Sequence, residues 1–185
     1  MSARIAGIVL LAAASALGNV PQEAGSGEVR PGLVAEFFRL GREVQDFPEL
    51  APDHRPAVRR VDRQINYSST PGKFADTDLD DCFYVRWTGL LRVPRDGTYT
   101  FYLESDDGSR LWIDGRLVVE NGGLHPMEEK SGERVLQAGD VEIRVEFYEN
   151  MGEAGCRVSW EADGIPKEPI PETALFHRRD KELDR

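Results

Sequence analysis

From Leu33 onward the chain is a succession of short segments in which apolar and polar residues alternate, separated by clusters of Gly, Pro, Asp and Asn. A period of two places one set of side chains on one face of an extended strand and the other set opposite. LVAEFF sets Leu33, Ala35 and Phe37 against Val34, Glu36 and Phe38. FYVRWTGLLRV sets Phe83, Val85, Trp87, Leu91 and Val93 on one side; after the turn Pro94-Arg95-Asp96-Gly97, TYTFYLES turns Tyr99, Phe101 and Leu103 inward. LWI-DG-RLVVE reads as a hairpin, because Asp114-Gly115 suits a two-residue type I′ turn whose central positions both need positive φ. Val141, Ile143, Val145 and Phe147 alternate with Glu142, Arg144 and Glu146, and CRVSWEA forms a last strand with Cys156, Val158 and Trp160 in phase. No stretch sustains a helical period. Short strands with turn signals between them predict an all-β fold, an antiparallel sandwich or barrel of jelly-roll type.

The interval 41–81 is poor in alternation and predicts irregular structure packed over the barrel, with short strands or turns. Residues 19–30, NVPQEAGSGEVR, have the composition of a linker. Residues 178–185 are almost all charged and predict a frayed tail. At the start, MSAR is basic, IAGIVLLAAASALG is apolar, and Ala14-Ser15-Ala16 has the small-x-small pattern of a cleavage site. Residues 1–18 therefore read as a signal peptide, with an uncleaved anchor as the alternative. The apolar run falls short of the roughly 20 residues that span a bilayer, and no later segment could cross one. The expectation is an exported protein, secreted or held in the periplasm or cell envelope, with one domain over residues 31–177.

A chain of 185 residues is long enough for one domain with a sufficient core. Its net charge of −10 opposes binding to nucleic acid and anionic lipid and suits cations and neutral ligands such as sugars. The two cysteines differ in phase: Cys156 falls with the inward residues of its strand and Cys82 does not. That disfavours a disulfide and predicts two buried free thiols.

Several chemistries lack their residues. There is no Gly-rich phosphate loop, no GxSxG elbow, and His54, His125 and His177 stand apart without metal-ligand spacing. Carboxylates are abundant, so a glycosidase is the enzyme to consider; it needs two acids flanking a sugar, one desolvated enough to keep its proton. Asp106 and Asp107 lie in a polar Ser-Asp-Asp-Gly-Ser run that favours ionisation of both. Two adjacent ionised carboxylates suit a hard cation better, since calcium takes six to eight oxygens in flexible geometry. Asp, Gly and Ser are also ordinary turn residues, and the residues alone leave both readings open. Trp87 and Trp160 have core parity. Trp112 is out of phase with Leu111 and Ile113 and is a candidate platform for a sugar ring. Arg110 is a candidate electrostatic support for the pair, and Asn121 and His125 of ENGGLHP are candidates for the ligand rim.

GLVAEFF, then FYVRWTGLLRVPRDGTYTFYLESDDGSRLWIDGRLVVEN, then LQAGDVEIRVEFYENMGEAGCRVSWEA and the closing GIPKEPIPETALFH together resemble the PA14 domain, the β-barrel module named after anthrax protective antigen. The likeness covers about residues 31–177. In sugar-binding members two adjacent aspartates joined by a cis peptide coordinate one calcium, and Asp106 and Asp107 stand at that position. A Tyr-x-Asn sequence supplies a third side-chain ligand; Tyr148-Glu149-Asn150 offers Asn150. Backbone carbonyls of the next loop complete the set, here around Gly152 and Ala154, and calcium then takes two vicinal sugar hydroxyls. The loop MGEAG departs from several lectins in being short and without an aromatic. The resemblance implies an exported, non-catalytic carbohydrate-binding domain that uses calcium. A ligand-free interaction or spacer module with a protein partner in trans is the alternative, and a glycoside hydrolase the third reading.

Overall fold

The structure is a computed structural model that describes residues 27–184. Its strands are β1 (Val29–Pro31), β2 (Leu33–Arg39), β3 (Val58–Asp62), β4 (Asn66–Pro71), β5 (Phe83–Val93), β6 (Gly97–Asp106) and β7 (Ser109–Ile113). They continue with β8 (Arg116–Asn121), β9 (Glu128–Leu136), β10 (Gly139–Glu149), β11 (Glu153–Ala162), β12 (Ile165–Pro169) and β13 (Leu175–Arg178). All pairings are antiparallel and fall into two sheets. An eight-stranded sheet runs β1-β13-β5-β10-β7-β8, with β2 also on β5 and β3 on β2; a five-stranded sheet runs β12-β11-β6-β9, with β4 on β11. The predicted all-β sandwich is the fold, and the one helical turn among the described residues is the 3-10 piece Glu172–Ala174.

The core lies between the sheets and consists of the residues in inward phase. Leu33, Ala35, Phe37, Phe83, Val85, Trp87, Leu91, Tyr99, Phe101, Leu103, Val145, Phe147, Val158 and Trp160 join one buried cluster. Each such large side chain contributes on the order of 1.5–3 kcal/mol by leaving water. The hairpin β7–β8 turns at Asp114 and Gly115 with φ of 52° and 69°, the type I′ signature. A second cluster, Phe38, Tyr84 and Tyr148 with Val44 of the irregular interval, lies on the outer face of the eight-stranded sheet, where Leu40 and, from that interval, Phe47 and Leu50 pack against it. Strict alternation fails there because that interval buries the second face.

Connections that change sheet decide where a site can form. The chain crosses from one sheet to the other eight times, and four of these crossings lie between β4 and β5, β6 and β7, β8 and β9, and β10 and β11. Register sets all four at one end of the barrel. Glu153 lies opposite Pro71, Gly155 opposite Asp106, Phe83 opposite Glu149, and Ser109 opposite Asn121. SDDGS is therefore no hairpin loop: β6 and β7 belong to different sheets, and the two aspartates occupy the corner between them.

Other expectations need correction. The linker ends before residue 30, since β1 pairs with β13, Val29 opposite Arg178. The tail is not frayed through Asp184: Asp180 accepts a hydrogen bond from Arg59, and Asp184 lies 3.2 Å from His177 Nε2. β12 and β13 lie in the Pro-rich exit, where Pro166, Pro169 and Pro171 obscured any alternation. Cys82 and Cys156 are free thiols, but only Cys156 is buried; Cys82, just before β5, is half-exposed. Residues 1–18, read as a signal peptide, and linker residues 19–26 lie outside the described residues. Among the described residues no helix is long and apolar enough to cross a membrane.

Candidate functional site

β6 carries its inward phase from Tyr99, Phe101 and Leu103 to Ser105, so the polar end of the strand continues the core positions, and Asp107, just past its end, is buried as well. Ser105 and Ser109 are fully buried, with their hydroxyls 2.6 Å apart across the corner. Asn121 is buried beneath them and donates its amide to Ser105 Oγ at 3.2 Å and to the Glu128 carbonyl at 2.9 Å. Gly108 is required by close approach: a Cβ there would meet the Tyr148 ring at 2.5 Å. The Tyr148 hydroxyl in turn accepts from Gly123 N at 3.0 Å, tying the corner to the β8–β9 loop.

On this base stand the two aspartates, whose peptide bond is cis. Asp107 is only 7% exposed. Its Oδ1 accepts the His125 backbone N–H at 2.9 Å, and its Oδ2 accepts the Asn150 backbone N–H at 3.0 Å. Two of the neighbouring crossovers thus fix one carboxylate. Asp106 Oδ2 accepts from Ser69 Oγ of β4 at 2.9 Å, and the same hydroxyl lies 3.3 Å from Glu153 Oε2. Asp107 N donates to Glu149 Oε2 at 3.1 Å, while Glu149 Oε1 is buried without a partner.

The electrostatics are one-sided. Burial first, then Asp107 and Asp106, push the Glu149 carboxyl up to about 9. Burial also raises Asp106, opposed by the Ser69 hydrogen bond and reinforced by Asp107 and Glu153. Among the described residues no Lys or Arg forms an ion pair with Asp106, Asp107 or Glu149. Hard oxygen donors, collected carboxylates without a basic partner and an orphaned carboxyl oxygen fit a hard divalent cation. Among the described residues no group of three or more His, Cys, Asp and Glu is arranged to hold a metal. A cation here would rest on the two aspartates with amide and main-chain oxygens.

The remaining predicted residues are placed unevenly. Asn150 adjoins the pair through its backbone; its Oδ1 accepts from Val44 N at 3.0 Å, and its carbonyl from Cys82 N at 2.8 Å. Gly152 is in the β10–β11 loop, with its N–H on Asp81 Oδ1 at 3.0 Å. Ala154 is not in that loop: it lies inside β11, opposite Thr70. His125 lies beside the pair, its backbone N–H on Asp107 and its ring against the carbonyls of Pro126 and Asn121. Asn121 is not on the rim, because the Ser105–Ser109 pair holds it beneath the corner. Arg110 does not support the aspartates; it pairs with Glu120 at 2.7 Å and lies over the Phe47 ring at 3.7 Å. Trp112 is outward, as its phase implied, but away from this end, with Arg144 over its ring at 4.0 Å.

Sequence reasoning missed Ser69, Tyr148 and Glu149. Glu149 carried a signal: it continues the inward phase of Val145 and Phe147, so an acid stands where a core residue is due. Ser69 is brought by a strand of the irregular interval, and nothing local marks it.

The paired acids thus stand at one end of a two-sheet barrel, where four of its crossovers meet. The chain belongs to the PA14 domain family, whose model matches residues 30–174. It is 33% identical over 118 residues to anti-sigma-I factor RsgI3 of Acetivibrio thermocellus, covering 63% of this chain and 18% of that protein. The solved structure of an anti-sigma factor domain-containing protein matches with a TM-score of 0.69 at 28% identity, over 84% of this chain and 51% of that one. The PA14 sugar-binding domain from an RTX adhesin shares the fold, with a TM-score of 0.69 at 20% identity, over 80% of this chain and 98% of that one.

Proposed function

We propose that this chain is an exported, non-catalytic carbohydrate-binding domain in which Asp106 and Asp107 hold a calcium ion. The observation that carries the reading is the fixed, uncompensated carboxylate pair where the sheet crossings converge. Asp107 is oriented by the N–H groups of His125 and Asn150, and Asp106 by Ser69. Calcium bound there offers open coordination positions to two vicinal hydroxyls of a sugar. Asn150 and the carbonyls of the β10–β11 loop are the further protein donors; Asn150 Oδ1 has a lone pair beyond the one given to Val44. The sugar-binding RTX adhesin domain supports the reading through its shared fold. The non-catalytic part of the reading is supported by the roles these acids already have. Glu149, the one fully buried carboxyl at the pair, accepts from the backbone of Asp107 and is not presented at the rim.

Isothermal titration of the chain with calcium chloride tests it. Binding in the micromolar to millimolar range, lost in Asp107→Asn, is the expected result. A glycan array read with calcium and with chelator then shows calcium-dependent sugar binding. If calcium does not bind and Asp107→Asn changes nothing, the second reading stands: an interaction or spacer module. The engagement of Asn150 Oδ1 by Val44 favours that alternative.

A further inference from the structure

Large apolar side chains left in water are few in this barrel: among the described residues they are Leu117, Leu124, Val135 and Met151. Their placement is uneven. Leu117 lies on β8 and Val135 on β9, the latter opposite Thr98 at the end of β6 away from the aspartates. Leu124 and Met151 stand at the corner itself, one in each of the two loops that fix Asp107. Leu124 precedes His125, whose N–H reaches Asp107 Oδ1 at 2.9 Å; Met151 follows Asn150, whose N–H reaches Asp107 Oδ2 at 3.0 Å. The two side chains are 41% and 59% exposed. Apolar residues scattered singly over a surface are ordinary, but two brought beside the oxygens of one carboxylate by separate crossovers belong to its surroundings.

The corner therefore has two characters. Toward β4 it is polar: Ser69 Oγ lies 2.9 Å from Asp106 Oδ2 and 3.3 Å from Glu153 Oε2, so hydroxyl and carboxylate oxygens line the Asp106 side. On the Asp107 side the N–H groups of the two loops are engaged. Gly123 gives its own to the Tyr148 hydroxyl, His125 and Asn150 give theirs to Asp107, and Gly152 gives its own to Asp81. The His125 ring nitrogens face the carbonyls of Pro126 and Asn121. The large side chains these loops leave in water are Leu124 and Met151. A ligand hydroxyl set against them would give up water without a new partner, whereas a methyl group gains by leaving water.

We propose that the aspartate corner selects 6-deoxyhexoses, sugars that carry a methyl group where a common hexose carries a hydroxymethyl group. The inference rests on the calcium reading of Asp106 and Asp107 and narrows its ligand. Such a sugar matches the two characters of the corner. It has vicinal hydroxyls for the cation, a further hydroxyl for Ser69 and Glu153, and one apolar edge for Leu124 and Met151. A leucine and an unbranched thioether suit a methyl group, which they can surround, better than the flat face of a ring, which calls for an aromatic platform. The chain's net charge of −10 agrees with a neutral ligand.

The test titrates the full chain, in calcium chloride, with sugar pairs that differ only at C6: L-rhamnose with L-mannose, and L-fucose with L-galactose. A deoxy sugar is expected to bind about fivefold more tightly than its partner, less than a closed pocket gives for one such group because this rim is open. Leu124→Gln combined with Met151→Gln, which keeps bulk and removes apolarity, is expected to bring the pair within about twofold. Calcium affinity should not change, and neither should the unfolding midpoint, since both positions are exposed. Val135→Gln, the same kind of change at the far end, should leave the preference intact. The proposal is overturned if neither deoxy sugar outbinds its partner, if the double variant keeps the preference, or if Val135→Gln removes it equally. Calcium titration separates the two readings. Without calcium binding both fall; with calcium bound and no preference within either pair, only the 6-deoxyhexose selection falls.

Discussion

β7 has an Asp-Gly step at each end, and the two steps invite comparison. After it, Asp114 and Gly115 turn the chain back onto β8 with φ of 52° and 69°; Asp114 is exposed, and a Cβ on Gly115 would meet nothing within 4 Å. Before it, Asp107 and Gly108 carry the chain from one sheet to the other. There Asp107 is buried, both its oxygens accept N–H groups from other crossovers, and Gly108 lies against Tyr148. The first step is determined by its own backbone preferences and would turn in almost any hairpin. The second is determined by what surrounds it. Similar residues are held locally in one place and by long-range contacts in the other, and the long-range one is where a ligand site can be kept in shape.

Substitutions at matched positions should separate the two ends. Asp107→Ala is expected to have the largest effect. It leaves the N–H groups of His125 and Asn150 without an acceptor and should cost about 3 kcal/mol in denaturant unfolding with chelator present. A loss no larger than that of Asp114→Ala would break the comparison. Gly108→Ala forces a methyl group into the Tyr148 ring and should cost about 2 kcal/mol, with a shift in the tyrosine signals of the near-ultraviolet spectrum. Gly115→Ala meets no atom but places a side chain at positive φ, so a loss of about 1 kcal/mol in the same assay is expected. Asp114→Asn should be the mildest, within about 0.5 kcal/mol of the parent, because Asn adopts the same left-handed conformation. If Gly115→Ala were costlier than Gly108→Ala, local backbone strain would outweigh packing and the contrast would be reversed.

Much of the barrel was legible in the chain. The inward phases of β2, β5, β6, β10 and β11 were each correct residue by residue, because a strand between sheet and solvent must alternate. Legibility ended where that condition ended. Tyr84 and Tyr148 are outward in phase yet buried, since a distant interval covers them. β12 and β13 pair despite their prolines, which interrupt no alternation that could be read. The site divides in the same way. Asp106 and Asp107 stood out by type and adjacency, and His125 by its loop. Asn121 and Arg110 were near in sequence but are turned to other partners, and Ser69 was too distant in sequence to be found.

The sequence by itself determined the strands, their inward faces and the turn at Asp114-Gly115, because these follow from a side-chain period of two and from the φ values a residue tolerates. It also determined that a pair of acids stands between two strands. Only the tertiary structure decided that those strands lie in different sheets and that the β8–β9 and β10–β11 crossovers each supply an N–H to Asp107. The physical reason is that pairing between distant strands depends on which faces can be buried together. A carboxylate's surroundings are then set by crossovers that no local pattern joins.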